Sequence, residues 1–170
     1  RIADRSCIDG QGSEQIIFNA EKLGMLRRIC AKANATLYHG FMALFIMFLS
    51  EITGEKAISI GTPFSQRSKE DFDVMGLMVN LEVIHIDLNA FKNFQEIAAE
   101  IKRITVNYLD RKYFPFSEIV RMMKAPREKM YLPFHILYNY LENESIEKSE
   151  EQPQFGKTDH INISVNQDIG

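Results

Sequence analysis

The sequence predicts a mixed α and β domain, an α/β fold of the kind in which helices cover a mixed sheet. Three observations carry that reading. From Phe91 to Leu109 apolar residues recur at threes and fours, which is the period of an amphipathic helix. Residues 56–61 and 132–141 alternate between two faces with the period of a strand, and 78–87 are rich in strand-forming residues. The two patterns are interleaved, without a repeat or a heptad run, so helices and strands belong to one layered unit. A chain of 170 residues that is 45% hydrophobic, with 12 Phe and 6 Tyr, has enough apolar material for a core.

Residues 1–13 are polar and contain glycine, and they read as a linker or lead-in to a domain spanning 14–170. Glu14 to Asn19 is a short strand. Ala20 to Ala33 is a helix with Leu23, Leu26, Ile29 and Cys30 on one face, interrupted at Asn34-Ala35-Thr36. Thr36 is placed to cap a second helix, Leu37 to Ile52, and Gly54 sits where a left-handed residue would end it. That helix is apolar nearly all round and is expected to be the most buried. Lys56 to Gly61 alternates as a strand, and Thr62-Pro63 is expected to stop it because proline cannot donate to a ladder. Ser65 to Asp73 is polar, a solvated loop or a short helical turn, and Met78 to Asp87 is a longer strand.

In the helix from Phe91 to Leu109, the apolar positions are Phe91, Phe94, Ile97, Ala98, Ile101, Ile104 and Tyr108, and Asn93 with Glu96 offers a capping box if the helix starts late. Phe114-Pro115-Phe116 breaks the chain, and Ser117 is placed to cap a short helix carrying Ile119, Val120 and Met123. Arg121 to Lys129 is a basic loop. Leu132 to Leu141 is a strand with Phe134, Ile136, Tyr138 and Tyr140 on one face and His135, Leu137 and Asn139 on the other. Glu142 to Gln154 is an acidic surface excursion, and His160 to Val165 is a last strand.

Several function classes lose their support. With 20 Lys and Arg against 23 Asp and Glu, the net charge of −3 offers no dominant basic surface, so no nucleic-acid partner is expected. Cys7 and Cys30 are too few for a disulfide scaffold, and a reduced, cytoplasmic protein is expected. The histidines, His39, His85, His135 and His160, are scattered, and no metal site is expected. The longest apolar run, Phe41 to Leu49, is far short of the roughly 20 residues that span a bilayer, so no membrane is expected. The absence of an initiator Met, and an end at Gly170 just after a strand-like pattern, lead us to expect a piece of a longer chain. Phosphate-cradling and dinucleotide glycine motifs, the Gly-x-Ser-x-Gly elbow and His-Glu-x-x-His are all missing. The tail from His160 to Asp168 has a histidine and an aspartate, but Ile169 splits what would be an Asp-Gly pair. Paired carboxylates such as Glu70-Asp71 and Glu150-Glu151 lie in polar runs and read as solvated.

Three segments in order carry a resemblance. The first runs from Ala35-Thr36-Leu37 through Gly54 to Gly61-Thr62-Pro63-Phe64-Ser65-Gln66-Arg67; the second is Met75-Gly76-Leu77-Met78-Val79-Asn80-Leu81-Glu82-Val83-Ile84-His85; the third is Arg111-Lys112-Tyr113-Phe114-Pro115-Phe116-Ser117. Together they resemble the condensation domain of nonribosomal peptide synthetases, specifically its C-terminal lobe. The first is similar to the family's apolar helix, strand and Gly-Thr-Pro-x-x-Gly-Arg loop: Gly61, Thr62, Pro63 and Arg67 match, and Gln66 replaces glycine. The second resembles Ile-Gly-x-Phe-Val-Asn-Thr-x-x-x-Arg, keeping Gly76, Val79 and Asn80, with Met78 for Phe, Leu81 for Thr and His85 for Arg. The third resembles His-Gln-Asp-x-Pro-Phe-Glu and keeps Pro115 and Phe116. Pro133-Phe134-His135-Ile136-Leu137-Tyr138 is similar to the family's strand beginning Pro-Leu-Phe-Gln-Val, so the resemblance runs from residue 14 to 166.

The resemblance implies a fold like chloramphenicol acetyltransferase, with two lobes and a tunnel between them. It implies amide formation between a carrier-bound acyl or peptidyl donor and a carrier-bound aminoacyl acceptor. The family's His-His-x-x-x-Asp-Gly motif belongs to the other lobe and is absent from this sequence, so no catalytic residue is expected in this chain. Asn80 and Gly76 are then expected near the reaction centre as tunnel wall. Gly61, Thr62, Pro63 and Arg67 would form an inter-lobe loop, with Arg67 bonding across lobes, and His85 would remove a cation the family carries. No cofactor is expected to bind directly, the substrates being presented on phosphopantetheine arms. Expected partners are the N-terminal lobe, carrier proteins and adjacent synthetase domains, and self-association of the isolated chain through an exposed inter-lobe face. Two other readings stay open: a non-catalytic carrier-docking or scaffold module, and a stand-alone acyltransferase of the same superfamily. Epimerisation and heterocyclisation domains share the lobe.

Overall fold

In the computed structural model, residues 16–71, 73–109, 114–123, 133–141 and 160–161 are described. Two antiparallel strands and three helices make the core. Strand β2 (Ala57–Ser65) pairs with β3 (Val79–Asp87) over nine residues, from Ala57 opposite Asp87 to Ser65 opposite Val79. Ile58, Ile60 and Thr62 on β2 and Glu82, Ile84 and Ile86 on β3 turn one way and are buried. Against that face pack α2 (Leu37–Thr53) and α3 (Phe94–Leu109), with α1 (Ala20–Lys32) behind them. A second, two-stranded pairing joins β1 (Ile16–Ile17) to β4 (His160–Ile161), antiparallel.

The helix boundaries follow local chemistry. Asn19 caps α1 by accepting the Lys22 N–H at 2.9 Å. Gly54, at φ +74, ends α2 as expected, and its N–H bonds the Ser50 carbonyl at 2.9 Å. Helix α3 does start late, at Phe94: Asn93 Oδ1 accepts the Glu96 N–H, and the Glu96 carboxylate reaches back to the N–H of Lys92. Gly40 lets α2 approach α1, because a Cβ there would overlap the Cys30 sulfur.

Three expectations need correction. β2 does not stop at Thr62-Pro63 but continues to Ser65. Alternate residues of a strand aim their main-chain groups to opposite sides, and Gly61 bonds away from β3, its N–H to the Ile136 carbonyl and its carbonyl to the Tyr138 N–H. Pro63, two residues on, has the same parity, so its missing N–H costs the β2–β3 ladder nothing. Second, Leu132 to Leu141 is no regular strand: among the described residues it makes a single parallel bridge, Leu137 with Gly61. Its alternation nevertheless holds, with Phe134 and Tyr138 buried and His135, Leu137 and Asn139 exposed. Third, the short helix α4 (Phe116–Met122) is not capped by Ser117 but begins ahead of it, with Pro115 at the N-cap position. Helix α2 is, as expected, the most buried helix among the described residues, although Leu44, Met47, Phe48 and Ile52 form an exposed stripe on it. The expectations for residues 1–13, Cys7, Glu142 to Gln154 and most of Arg121 to Lys129 lie outside the described residues. No single helix among the described residues is long and apolar enough to cross a membrane.

His39 ties α2 to α3. The Thr36 N–H donates to Nδ1 at 3.0 Å, so that nitrogen carries no proton, and Nε2–H donates to Thr105 Oγ1 at 3.0 Å. Thr105 passes the chain on to the Lys102 carbonyl. Burial first, and the nearby Lys102 charge second, lower the imidazole from 6.5 to about 4. The unfolded chain therefore takes up a proton between those values that the fold refuses. Stability is expected to fall as pH drops from 6.5 to 4, by at most about 1.4 kcal/mol per pH unit, and to level off below. Urea titrations across that range check this, and His39→Gln should flatten the slope.

Candidate functional site

The loop between β2 and β3 is organised by Arg67. Its Nη1 donates to the carbonyls of Asp71 (2.6 Å) and Val74 (2.7 Å), and Nη2 to that of Gly76 (3.0 Å). The guanidinium thus gathers three carbonyls of its own loop, which also contains a 3-10 turn at Lys69–Asp71. All three bonds run within the chain. Ordering by Arg67 leaves the side chains after it outside: Met75 is 99% and Leu77 91% exposed, followed by half-exposed Val79.

Asn80 stands where that loop enters β3, opposite Phe64. Its Nδ2 donates to Tyr108 Oη at 2.9 Å and to the Phe114 carbonyl at 2.7 Å, and its Oδ1 accepts the Phe116 N–H at 3.1 Å. One side chain therefore touches the end of α3 and both main-chain groups that flank Pro115. This explains the early start of α4: the Phe116 N–H, orphaned at a helix start, is satisfied from β3 and needs no Ser117.

Gly61 has a packing reason. A Cβ there would overlap the Phe134 ring, which in turn lies 5.7 Å from the ring of Phe116. Gly61, Asn80 and Pro115-Phe116, far apart in sequence, are thus linked through Phe116. Thr62 is buried beside them, its hydroxyl 3.3 Å from Tyr38 Oη. Pro63 pairs with Leu81 in the ladder. Gly76 contributes its carbonyl to Arg67 and has open space where a side chain would project. His85 lies apart from this group, on an exposed position, with Nδ1 2.8 Å from Ser59 Oγ across the strands.

Glu82 belongs to the site without having been expected there. It faces Thr62 in register, is 4% exposed, and its Oε1 has no hydrogen-bond partner among the described residues. Desolvation pushes its carboxyl from 4.5 up to about 8, so it is a neutral acid at pH 7. Tyr38 above it is pushed up to about 12, chiefly by burial, with the Thr62 bond opposing and Glu82 adding. The period of β3 places Glu82 on the inner face with Ile84 and Ile86; that signal was available in the sequence. No group of three His, Cys, Asp or Glu among the described residues could hold a metal ion. A groove of about 520 Å³ is lined by Arg27, Cys30, Thr36, Tyr38 and Tyr140 among others, and Tyr38 joins it to Thr62. The arrangement can position and shape; its hydrogen-bonding amide and carboxyl are turned to protein partners or buried.

The fold thus binds a Gly-Thr-Pro strand, a Val-Asn strand and a Pro-Phe helix start together beneath its helices. Residues 4–169 match the condensation domain family, and the chain belongs to it. Among curated relatives, a plipastatin synthase of Bacillus subtilis (strain 168) is 26% identical over 164 residues, 94% of this chain and 4% of that protein. Tyrocidine synthase 2 of Brevibacillus parabrevis is 26% identical over 79% of this chain and 4% of its own length. Of solved structures, the first condensation domain of the calcium-dependent antibiotic synthetase, in complex with a substrate analogue, shares the fold with a TM-score of 0.67. It is 13% identical over 93% of this chain and 35% of that one. A holo four-domain nonribosomal peptide synthetase bound to AMP and glycine gives 0.66, at 19% identity, over 80% of this chain and 10% of that one. The chain thus spans a small part of the relatives it matches. The mixed α and β fold is that of condensation domains, like chloramphenicol acetyltransferase.

Two substitutions probe the site. Gly61→Ala is expected to displace Phe134 and cost about 1–3 kcal/mol, read by urea denaturation, with Phe134→Leu in the same chain restoring part of the loss. Glu82→Gln removes a group that is neutral folded and ionised unfolded between pH 4.5 and 8. Wild-type stability falls as pH rises through that window, by up to roughly 1.4 kcal/mol per unit. The Gln variant is expected to be the more stable at pH 8 and equal to wild type near pH 4.

Proposed function

We propose that the chain is the C-terminal lobe of a nonribosomal peptide synthetase condensation domain, and that the whole domain joins a carrier-bound acyl or peptidyl donor to a carrier-bound aminoacyl acceptor through an amide bond. The observation that carries this is the convergence of the Gly-Thr-Pro, Val-Asn and Pro-Phe segments through Asn80, Phe116 and Phe134, beside the exposed apolar side chains of Met75 and Leu77. In this reading Asn80 and Gly76 belong to the wall of the substrate tunnel, and Gly61, Thr62, Pro63 and Arg67 to the loop that meets the other lobe.

Amide formation between two bulky thioester-bound groups depends on holding donor and amine together and letting the amine's proton leave. A lobe that supplies shape leaves proton transfer to a histidine on the N-terminal lobe. The chain holds no cofactor of its own; phosphopantetheine arms bring the substrates. Its partners are the N-terminal lobe, carrier proteins and neighbouring synthetase domains, in the reducing cytoplasm that the free, buried Cys30 suits. Exposed Met75 and Leu77 also favour self-association of the 170 residues alone.

The test compares the 170 residues with the full-length protein, each supplied with loaded donor and acceptor carriers. Product is expected from the full protein and none from the shorter chain. Robust turnover by the shorter chain overturns the assignment of the base to another lobe, and a full protein that binds carriers without condensing points to the scaffold reading.

A further inference from the structure

Resting on that reading, we propose that Asn80 is a positioning residue, a cap supplied in trans to helix α4, and that Tyr108 holds its amide in the only orientation that can do this. An asparagine amide offers two donors and one oxygen. Here both donors are taken, by Tyr108 Oη and the Phe114 carbonyl, and the oxygen takes the Phe116 N–H. Those last two groups bracket Pro115, whose own nitrogen carries no proton. The amide therefore grips the turn as a neighbouring strand would, by accepting one N–H and donating to one carbonyl.

The grip is specific in direction. A flipped amide would set oxygen against the Phe114 carbonyl and NH2 against the Phe116 N–H, losing both bonds and opposing like groups. Tyr108 adds an acceptor on the NH2 side, and its own ring is anchored 5.4 Å from Phe64, the cross-strand partner of Asn80. The consequence extends to α4: Phe116 is its first residue, and the Phe116 ring meets Phe134 over Gly61. With its donors committed to protein, Asn80 affects the reaction through the placement of α4 and not by donating to a substrate carbonyl.

The experiment uses the full-length protein with Asn80→Ala, Tyr108→Phe and the double substitution. Amide hydrogen exchange at Phe116 and through α4, and kcat and KM with loaded carriers, are measured on each. Exchange at Phe116 is expected to rise roughly tenfold or more in Asn80→Ala and less in Tyr108→Phe, with the middle of α3 unchanged. Loss of kcat should follow the same order, and the double variant should be no worse than Asn80→Ala alone. Loss of turnover with Phe116 protection intact would overturn the proposal in favour of direct contact with substrate; so would additive effects of the two substitutions, or unchanged exchange in Asn80→Ala. A wild-type protein that exchanges as expected but never condenses sinks the condensation reading and leaves the cap standing. Should Asn80→Ala fail to fold, the exchange and kcat of Tyr108→Phe decide the matter.

Discussion

The register of β2 against β3 is the constraint on which the rest depends. Nine consecutive pairs set Phe64 opposite Asn80 and Thr62 opposite Glu82. A slip of β3 by one residue would turn Ile84 and Ile86 out of the core, each worth roughly 1.5–3 kcal/mol when buried, and would aim Asn80 away from Tyr108. The same apolar pattern that stabilises the fold therefore positions its polar groups. Gly61 extends the constraint to a third segment, because its main chain bonds the Ile136–Tyr138 stretch while its bare Cα accepts the Phe134 ring.

The helices hold this register by two different means. Helix α2 brings Met42, Ile46 and Phe45 onto the sheet and gathers an aromatic group around Tyr38, which meets Phe64, Tyr138 and Tyr140. Helix α3 is joined to α2 through His39 and Thr105, and to β3 through Tyr108 and Asn80. Polar contacts at two points of α3 limit sliding that apolar packing alone would tolerate. The neutral Glu82 lies between these regions, a buried acid whose burial must be offset by the surrounding packing.

Much of the architecture was legible because it rests on local rules. Asn93 with Glu96, Thr36 and Gly54 marked helix ends correctly, and the period-two alternation sorted Phe134 and Tyr138 from His135 and Leu137 even where no regular strand formed. Pro63 misled because a proline's cost depends on which neighbour its nitrogen faces, and that is decided by pairing. Ser117 misled because Asn80, far away in sequence, satisfied the helix start first. Glu82 passed unnoticed as one more acidic residue, although its place in the alternation put it inside.

By itself the sequence determined most of the elements, their inward faces, and the motifs that place the chain among condensation domains, since periodicity, caps and motif spacing are properties of neighbours along the chain. Only the tertiary structure decided what those motif residues do. Arg67 closes its own loop, Gly61 makes room for a ring, and Asn80 spends its amide on Tyr108 and the turn at Pro115. A hydrogen-bonding side chain has a fixed capacity, and which groups claim it depends on distances that only folding sets.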